Sequence, residues 1–329
     1  MWFELFLLWA VFQVVSWTLF FFPNLLYKKL KPRMEVLRKA MDEDKFVRII
    51  HRGGPRYNFE NTIPAFRFSI QQKADFIEFD VQPTKHNEVV VFHDKEFERL
   101  CGKKDHVCHL PHHEFPHPLD EAEMHFNLNR SMKKHQPDEG QPHFPLLIDV
   151  LALEDVFFNL EVKYYNSKFI DNLIQVIKDS GKQEKILVAL MWPEGIERMK
   201  EALPKLNFTF EKKEVMKLFL GFPLGLLPFI PLKRDVLQPP YFSKAYEEWE
   251  LERAYGGYKP SWVYLLRYAK LIMGPIIGYL RRRGVPTMPW VVNEVSDMET
   301  LRNYGALGVV TDEPVLSREW TLQKGINIK

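Results

Sequence analysis

Four β-like stretches of the sequence end in side chains that can carry protons or hold a cation. The run FVRII (46–50) is followed by His51 and Arg52, and VVVF (89–92) is followed by His93. Two further runs, DFIEFDV (75–81) and VFFNLEV (156–162), supply or precede Glu78, Asp80, Glu161 and Lys163. In a parallel barrel the carboxyl ends of the strands meet at one mouth, so these side chains are predicted to form a single site.

The spacing of the acidic residues indicates the direction in which they point. Glu78 and Asp80 are two residues apart, so on a strand they share one face, while their apolar neighbours share the other. The apolar face is expected in the buried outer wall, which turns both carboxylates toward the inside of the barrel. Gathered carboxylates repel one another and are costly to bury unpaired. A hard divalent cation with oxygen ligands resolves both problems, and Glu161 completes the predicted ligand set.

The remaining polar residues suit the cleavage of a phosphoester. His51 and His93 can act as an acid–base pair near neutral pH. Arg52 and Lys163 add positive charge, which stabilises a phosphate oxygen that develops charge in the transition state. A cation, two histidines and two basic side chains together indicate phosphoester cleavage.

The elements that must position these residues alternate between strand and helix. TIPAFRFSIQQ (62–72) predicts a helix with Thr62 as its N-cap and Pro64 in its first turn, and other helices are expected around 168–180, 194–203 and 296–304. Eight strands are predicted, at 46–50, 75–81, 89–92, 156–162, 186–190, 207–210, 287–292 and 308–311. This pattern predicts an α/β fold, a (β/α)8 TIM barrel with inserted loops.

Two stretches interrupt the alternation. Residues 101–145 hold eight of the eleven histidines, and we interpret them as a surface loop near the barrel mouth because their Cys and His spacing matches no standard zinc site. A zinc site formed by Cys108, His109 and His113 is the alternative. Residues 218–283 are largely apolar. We expect 218–232 to dip into a bilayer surface and 261–283 to lie in the interface with its cations toward phosphate headgroups. Packing of both segments against the barrel wall is the alternative.

The first thirty residues predict a membrane anchor. Leu5 to Phe22 contain no charged side chain, and a helix of about 18 such residues approaches the thickness of the hydrocarbon core. A cleaved signal peptide is the alternative, although the start carries Glu4 and no A-x-A site follows. Positive charge directly after the span places the following residues in the cytoplasm, and it comes from Lys28, Lys29, Lys31 and Arg33.

We therefore predict a single-pass membrane protein with an anchor at 1–30 and a cytoplasmic catalytic domain at 45–320. An endomembrane such as the endoplasmic reticulum fits this arrangement. The formal net charge of +2 argues against a dedicated nucleic-acid-binding protein. Two cysteines are too few for a disulfide framework, which favours a reducing compartment. No feature of the sequence indicates an obligate protein partner.

In chain order, the motifs from residue 48 to about residue 318 resemble those of the glycerophosphodiester phosphodiesterase family. The matching pieces are HRG (51–53), ENT (60–62), E-x-D (78–80), VVFHD (90–94), E-x-K (161–163), W-x-x-N (290–293) and GVVTDEP (308–314). KAD (73–75) and TKHN (84–87) depart from the family's usual GAD and T-K-D-G, but they alter backbone corners and no catalytic side chain. The N-terminal helix and GLLPFIPL (225–232) also resemble the membrane-bound mammalian branch described as lysophospholipases D.

The resemblance implies a role for each matching residue. The ligands of one divalent cation, Mg²⁺ or Ca²⁺, would be Glu78, Asp80 and Glu161, with His93 and Glu60 as further possible ligands. The general acid and base would be His51 and His93. The substrate-binding residues would be Arg52, Lys163, Trp290 and Asn293. A substrate hydroxyl beside the phosphate would attack phosphorus to give a cyclic intermediate that water opens, with direct attack by water as the alternative.

The anchor and the apolar insert favour a lipid substrate, and the bilayer is then a second partner. We expect hydrolysis of a lysophospholipid to lysophosphatidic acid and a headgroup alcohol. One alternative is hydrolysis of a water-soluble glycerophosphodiester to glycerol 3-phosphate, and another is a phospholipase C-like or sphingomyelinase D-like barrel enzyme. An inactive membrane scaffold should have lost one of the central acids or histidines, and none is missing.

Overall fold

The computed structural model describes residues 1–125, 131–133, 144–253 and 261–326. The strands in this part of the chain are β1 Val47–Ile50, β2 Phe76–Pro83, β3 Val89–Val91, β4 Glu121–Glu123, β5 Ser131–Lys133, β6 Phe157–Val162, β7 Ile186–Ala189, β8 Asn207–Phe208 and β9 Gly308–Thr311. The helices are α1 Trp2–Phe21, α2 Glu35–Asp42, α3 Ile63–Gln71, α4 Glu98–Cys101, α5 Leu147–Leu151, α6 Ser167–Ser180, α7 Pro193–Ala202, α8 Lys212–Gly221, α9 Lys244–Arg253, α10 Ser261–Arg283, α11 Val295–Tyr304 and α12 Pro314–Gln323.

Six strands form a curled parallel sheet in the order β8-β7-β6-β2-β1-β9. Two short extended segments, 236–240 and 287–292, carry the ladder from β8 round to β9. They do so through single parallel bridges, Thr209 to Val236, Leu237 to Thr287 and Pro240 to Trp290, and through backbone hydrogen bonds such as Val292 N to Val310 O. The predicted TIM-barrel-like α/β fold is confirmed.

Two of the eight predicted strands differ from the structure. The stretch 89–92 contains β3, but β3 pairs antiparallel with the end of β2 and is not a barrel strand. The segment 236–240 takes a barrel position in its place, although it lies inside the stretch predicted to be an insert. The segment 287–292 makes only isolated bridges. Proline explains the missed and broken strands, because the pairs at 239–240 and at 286 and 289 lack amide donors for a regular ladder.

Strand β2 points its carboxylates inward, as the spacing predicts. Ile77, Phe79 and Val81 are fully buried in the outer layer, where Phe66 of α3 and Phe169 of α6 belong to the same apolar cluster. Glu78 and Asp80 therefore occupy the opposite, inner face of the strand. The predicted start of α3 is also correct, since the Thr62 side chain accepts a hydrogen bond from the Ala65 amide at 3.4 Å.

Helix α1 is attached at the end of the barrel where the strands begin. Its last turn packs on the end of α10, with the Phe20 and Tyr279 rings stacked at 5.4 Å. The following chain stays there, because Leu30 N donates to the carbonyl of Arg283 at 2.7 Å, just before the segment 287–292. His51 follows the last residue of β1 and so lies at the opposite end. Helix α1 and the reactive residues thus lie at opposite ends of the barrel.

Two helices, Trp2–Phe21 and Val263–Arg283, are long and apolar enough to cross a membrane by length and composition. Only 11% of the apolar window of α1 is buried in the protein, against 44% for the window in α10. The carboxyl-terminal half of α10 is packed against the barrel through buried Met273, Ile276 and Leu280. Membrane contact by 218–283 stays a prediction, for which the exposed apolar side chains are Leu220, Leu224, Leu226, Phe229, Tyr264, Leu265 and Leu271.

Candidate active site

The turn after β1 directs His51 and Arg52 into the barrel mouth. Arg52, Gly53 and Gly54 have positive φ values of 48°, 79° and 81°, so the chain reverses sharply. A Cβ on Gly53 would lie 2.8 Å from the Cβ of Ala65, which explains why a glycine is needed beside α3. Both the imidazole and the guanidinium are consequently buried at the site.

The His51 ring is bonded to a carboxylate that follows β9, the strand that pairs with β1. Its Nδ1 lies 2.7 Å from Oδ1 of Asp312, the residue that follows β9. Because a carboxylate only accepts, Nδ1 carries the proton and Nε2 faces the site, 3.9 Å from Glu78 Oε2. Asn293 orients Asp312 in turn, donating to its Oδ2 at 2.8 Å and accepting from its amide at 2.9 Å. We call His51 and Asp312 the His51 dyad.

Three carboxylates form the centre of the site. Ligand atoms of Glu78, Asp80 and Glu161 lie within 4.8 Å of one another, and we call these residues the acidic trio. Burial and the nearby Asp80 raise the pKa of Glu78. Burial alone would also raise the pKa of Asp80, but the charges of Lys163, His93 and Arg52 lower it well below its usual range. The trio therefore combines concentrated negative charge with a need for a cation.

A divalent cation fits the donor set of the trio. All three groups offer oxygen, which hard cations prefer, and Oδ1 of Asp80 is buried without a hydrogen bond of good geometry. The ammonium of Lys163 already bridges two of the carboxylates, at 3.1 Å from Asp80 Oδ1 and 2.7 Å from Glu161 Oε1. A positive charge is thus accommodated between strands β2 and β6.

Arg52 connects the acidic trio to its surroundings. Its backbone amide donates to Glu78 Oε2 at 3.0 Å, and its Nε lies 3.3 Å from Asp80 Oδ2. Its Nη1 donates to Glu60 Oε1 at 3.1 Å. The guanidinium is buried and forms ion pairs with Glu60 and Asp80, so it is a fixed positive charge beside the carboxylates.

His93 belongs to a second histidine–carboxylate pair on the other side of the trio. Its Nδ1 lies 2.6 Å from Oδ1 of Asp94, and we call these two residues the His93 dyad. Arg99 of α4 donates from Nε to Asp94 Oδ2 at 2.7 Å and from Nη2 to Glu60 Oε1 at 2.6 Å. The chain of bonds from His93 through Arg99 ends at Glu60, which is shared with Arg52.

The pKa values of the two histidines are shifted in opposite directions. Burial would lower the pKa of His51, but the carboxylates of Asp312 and Glu78 outweigh it and raise the pKa overall. For His93, burial and the nearby Arg52 dominate, so its pKa is lowered despite the bond to Asp94. Near neutral pH His51 is thus the more readily protonated ring, ready to act as the acid, and His93 the more readily neutral ring, ready to act as the base.

The histidine-rich insert forms one wall of the mouth. Its Val107 packs in one apolar cluster with Val90 of β3 and with Phe97 and Leu100, which lie just before the insert. It brings His125 next to His93, with ring centroids 4.9 Å apart, and both rings line a cleft of about 660 Å³ together with Arg99 and Lys163. Burial and the positive charge of Arg52 lower the pKa of His125 to about 3. His135 and His143 of the insert lie outside the described residues.

Three further predicted residues, Glu60, Asn293 and Trp290, are held by hydrogen bonds within the protein, and their roles stay predictions. Both carboxylate oxygens of Glu60 accept from Arg99, so this acid is saturated by guanidinium groups. Asn293 bonds to Asp312, and it therefore positions the His51 dyad. The indole of Trp290 donates to the carbonyl of Gln238 at 3.0 Å inside the barrel.

Sequence reasoning assigned no site role to Asp312, Asp94, Arg99 or His125. The two aspartates had a signal, since Asp312 directly follows the apolar run of β9, Asp94 directly follows His93, and both stand in motifs quoted above. Arg99 and His125 had none that we can identify, because neither belongs to a motif and His125 stands in a histidine-rich loop without periodicity.

The barrel mouth brings together the acidic trio, the two histidine–carboxylate dyads and fixed cations. This set of groups defines the active site of a phosphodiesterase. The comparison with known families agrees: the sequence model described as "Glycerophosphoryl diester phosphodiesterase family" matches residues 51–217. The chain belongs to this family, and it is an enzyme that hydrolyses glycerophosphodiesters.

Two named relatives and a solved structure match this chain over most of its length. The chain is 30% identical to mouse "Lysophospholipase D GDPD3", over 82% of this chain and 80% of the relative. It is 26% identical to human "Lysophospholipase D GDPD1", over 94% and 93%. The solved structure of a glycerophosphodiester phosphodiesterase from Agrobacterium tumefaciens superposes with a TM-score of 0.58 at 16% identity, covering 84% of this chain and 99% of that one. The structural likeness supports the fold.

Proposed function

We propose that the protein is a membrane-anchored lysophospholipase D. It hydrolyses a lysophospholipid between the phosphate and the headgroup, so that lysophosphatidic acid and a free headgroup alcohol are the products. The observation that carries the proposal is the placement of two histidine–carboxylate dyads around one acidic trio, with opposite pKa shifts at the two histidines. The relatives named lysophospholipase D and the apolar helix α1 favour a lipid substrate.

One divalent cation, Mg²⁺ or Ca²⁺, is proposed to be held by Glu78, Asp80 and Glu161. When bound, such an ion polarises phosphoryl oxygens as a Lewis acid. Arg52 and Lys163 supply further positive charge for the phosphate oxygens. Because Arg52 is already bonded to several carboxylates, it orients the acidic trio and contributes a charge that does not have to reorganise.

The two dyads divide the proton transfers between them. In the first step the substrate hydroxyl next to the phosphate attacks phosphorus and loses its proton to Nε2 of neutral His93. The bond from phosphorus to the headgroup oxygen breaks, and this oxygen takes a proton from Nε2 of protonated His51. Water then opens the resulting cyclic phosphodiester, with the roles of the histidines reversed. Asp312 and Asp94 keep the two rings oriented throughout.

The domain arrangement completes the proposal. We propose that residues 1–30 anchor the chain by one membrane crossing and that residues 45–320 form the catalytic domain in the cytoplasm. The positive charges directly after α1 support this orientation.

Product analysis tests the proposal. The full chain in detergent micelles is given lysophosphatidylcholine, with Mg²⁺, with Ca²⁺ or with EDTA, and the products are measured by mass spectrometry. We expect choline and lysophosphatidic acid, activity with at least one cation, and little activity with EDTA. Phosphocholine and monoacylglycerol would instead identify a phospholipase C, and no turnover under any condition would indicate a scaffold.

Two comparisons sharpen this experiment. Glu161→Gln should abolish metal-dependent turnover, whereas the matched exposed variant Glu154→Gln should not change it, since Glu154 is 72% exposed and pairs only with Lys182 among the described residues. Glycerophosphocholine tests the water-soluble alternative, and a higher kcat/KM for it than for the lysolipid would contradict the lipid preference.

Detection of cyclic phosphatidic acid at early times would support attack by the substrate hydroxyl over direct attack by water.

A further inference from the structure

A strongly basic cavity lies at the end of the barrel opposite the active site. Its volume is about 680 Å³. Lys45 and Ala306 in its wall lie two residues before β1 and β9, whereas His51 and Asp312 follow these strands. Its cationic side chains are Lys29, Lys45, Arg281, Arg282 and Arg302, and the carboxylate in its wall is Asp44.

Most of the positive charge in this cavity is not neutralised, although Lys45 pairs with Glu43 at 2.6 Å. Asp44 receives both Arg281, at 2.6 Å, and Arg302, at 3.4 Å, so one carboxylate serves two guanidinium groups. Lys29 forms no ion pair within the described part of the chain. Concentrated cations around an open cavity attract a multivalent anion, and guanidinium groups match phosphate oxygens in geometry.

The cavity is also physically joined to helix α1. Nη2 of Arg282 donates to the carbonyl of Phe20 at 3.0 Å, and the guanidinium lies 5.2 Å from the centre of the Phe20 ring. Lys29 stands eight residues after Phe21, the last residue of α1. The cavity therefore opens where α1 would leave the hydrocarbon core, at the depth of the lipid headgroups if α1 spans the membrane.

We propose that this cavity binds the phosphate headgroup of an anionic phospholipid, at a site separate from the active site. The lipid would hold the strand-beginning end of the barrel against the membrane, so that the catalytic mouth opens away from the surface that α1 enters. A lysophospholipid would then reach the active site as a desorbed monomer or around the side of the domain. The binding site itself does not depend on the proposed substrate.

Thermal unfolding of the full chain in a non-ionic detergent tests the site. The additions are dioctanoyl phosphatidic acid, dioctanoyl phosphatidylcholine and inorganic phosphate. We expect phosphatidic acid to raise the unfolding midpoint by about 2–4 °C at a tenfold excess over its dissociation constant. Phosphatidylcholine and inorganic phosphate should each shift it by less than about 1 °C.

Variants localise the effect. In Lys29→Gln/Lys45→Gln/Arg302→Gln the shift with phosphatidic acid should disappear, while the matched triple variant Lys168→Gln/Lys178→Gln/Lys185→Gln on and beside α6 should keep it. Midpoints without lipid should agree among the three proteins, because exposed ion pairs contribute little. The proposal is overturned if the shift persists in the first variant, or if phosphatidylcholine or inorganic phosphate reproduces it. A failure here with normal turnover of lysophosphatidylcholine would leave the catalytic assignment intact.

Discussion

The His51 dyad and the His93 dyad have the same parts but are built differently. Asp312 comes from the strand next to β1 in the parallel barrel, and Asn293, a neutral residue, orients it. Asp94 directly follows its histidine beyond the antiparallel β3, and Arg99, a cation from the short helix α4 that leads into the insert, orients it. One dyad therefore belongs to the barrel, and the other depends on an addition to it.

This difference accounts for the opposite pKa shifts. The His51 ring faces two carboxylates, Asp312 and Glu78, whose charges favour the protonated ring. The His93 ring has a carboxylate of its own, but burial, together with the charges of Arg52 and Lys163, acts against its protonation. Two chemically identical residues are thus prepared for different steps by the charges that other elements bring to them.

The largest expected effect is the loss of kcat when either histidine is removed, and a second substrate distinguishes the acid from the base. His51→Ala should lower kcat on lysophosphatidylcholine by about 10²–10⁴-fold, because the departing alkoxide then lacks a proton donor. On an analogue with a p-nitrophenyl headgroup, which leaves without protonation, most of this loss should vanish. His93→Ala should be as damaging on both substrates. Steady-state kinetics check this, and equal rescue of both variants would contradict the assigned roles.

Removal of the orienting carboxylates should cost less, about 10²-fold in kcat for each. Asp312→Asn takes away the charge that raises the pKa of His51, so the alkaline limb of the pH–rate profile should move to lower pH. Asp94→Asn removes a bond that favours protonated His93, so the acidic limb should move to lower pH. A shift of the same limb in both variants would show that the dyads do not act separately.

Arg99 should matter most for stability. Arg99→Gln leaves Glu60 and Asp94 without their main partner, and breaking one side of a buried ion pair costs about 3–5 kcal/mol in free energy of unfolding. Adding Glu60→Gln to this variant should recover part of the loss. The matched control Arg198→Gln breaks an exposed pair with Asp171 and should cost less than about 1 kcal/mol. Urea unfolding gives these values, and equal losses in the two arginine variants would argue against the network.

The smallest effect is the acid sensitivity of the same network. Burial would raise the pKa of Glu60, but Arg99 and Arg52 outweigh it and lower the pKa to about 2, against 4.5 for an ordinary glutamate. A lowered folded-state pKa stabilises the fold fully above pH 4.5, and this contribution is lost as the pH falls toward 2. The free energy of unfolding of Glu60→Gln should therefore fall less steeply over this range than that of the wild-type protein. Parallel curves would show that Glu60 is not responsible.

Some of the fold and site could be predicted because the relevant signals are local. Glu78 and Asp80 point inward because alternate residues on a strand share a face and their neighbours Phe79 and Val81 are strongly apolar. His93 was predicted at the mouth although β3 is not a barrel strand. A residue that follows an apolar run stands at the end of the strand, whether that strand is parallel or antiparallel to its neighbour. The segment 236–240 was missed because its prolines break the pattern that reveals a strand.

The sequence by itself determined which groups are available to the site, the alternation of strands and helices, and the apolar helix at the amino terminus. These properties depend on residue type and on short-range periodicity. Only the tertiary structure decided that His51 pairs with Asp312, 261 residues away, that Glu60 is saturated by arginines, and that α1 and the active site lie at opposite ends of the barrel. Such pairings depend on distances and burial between elements far apart in the chain, and these arise only when the barrel closes.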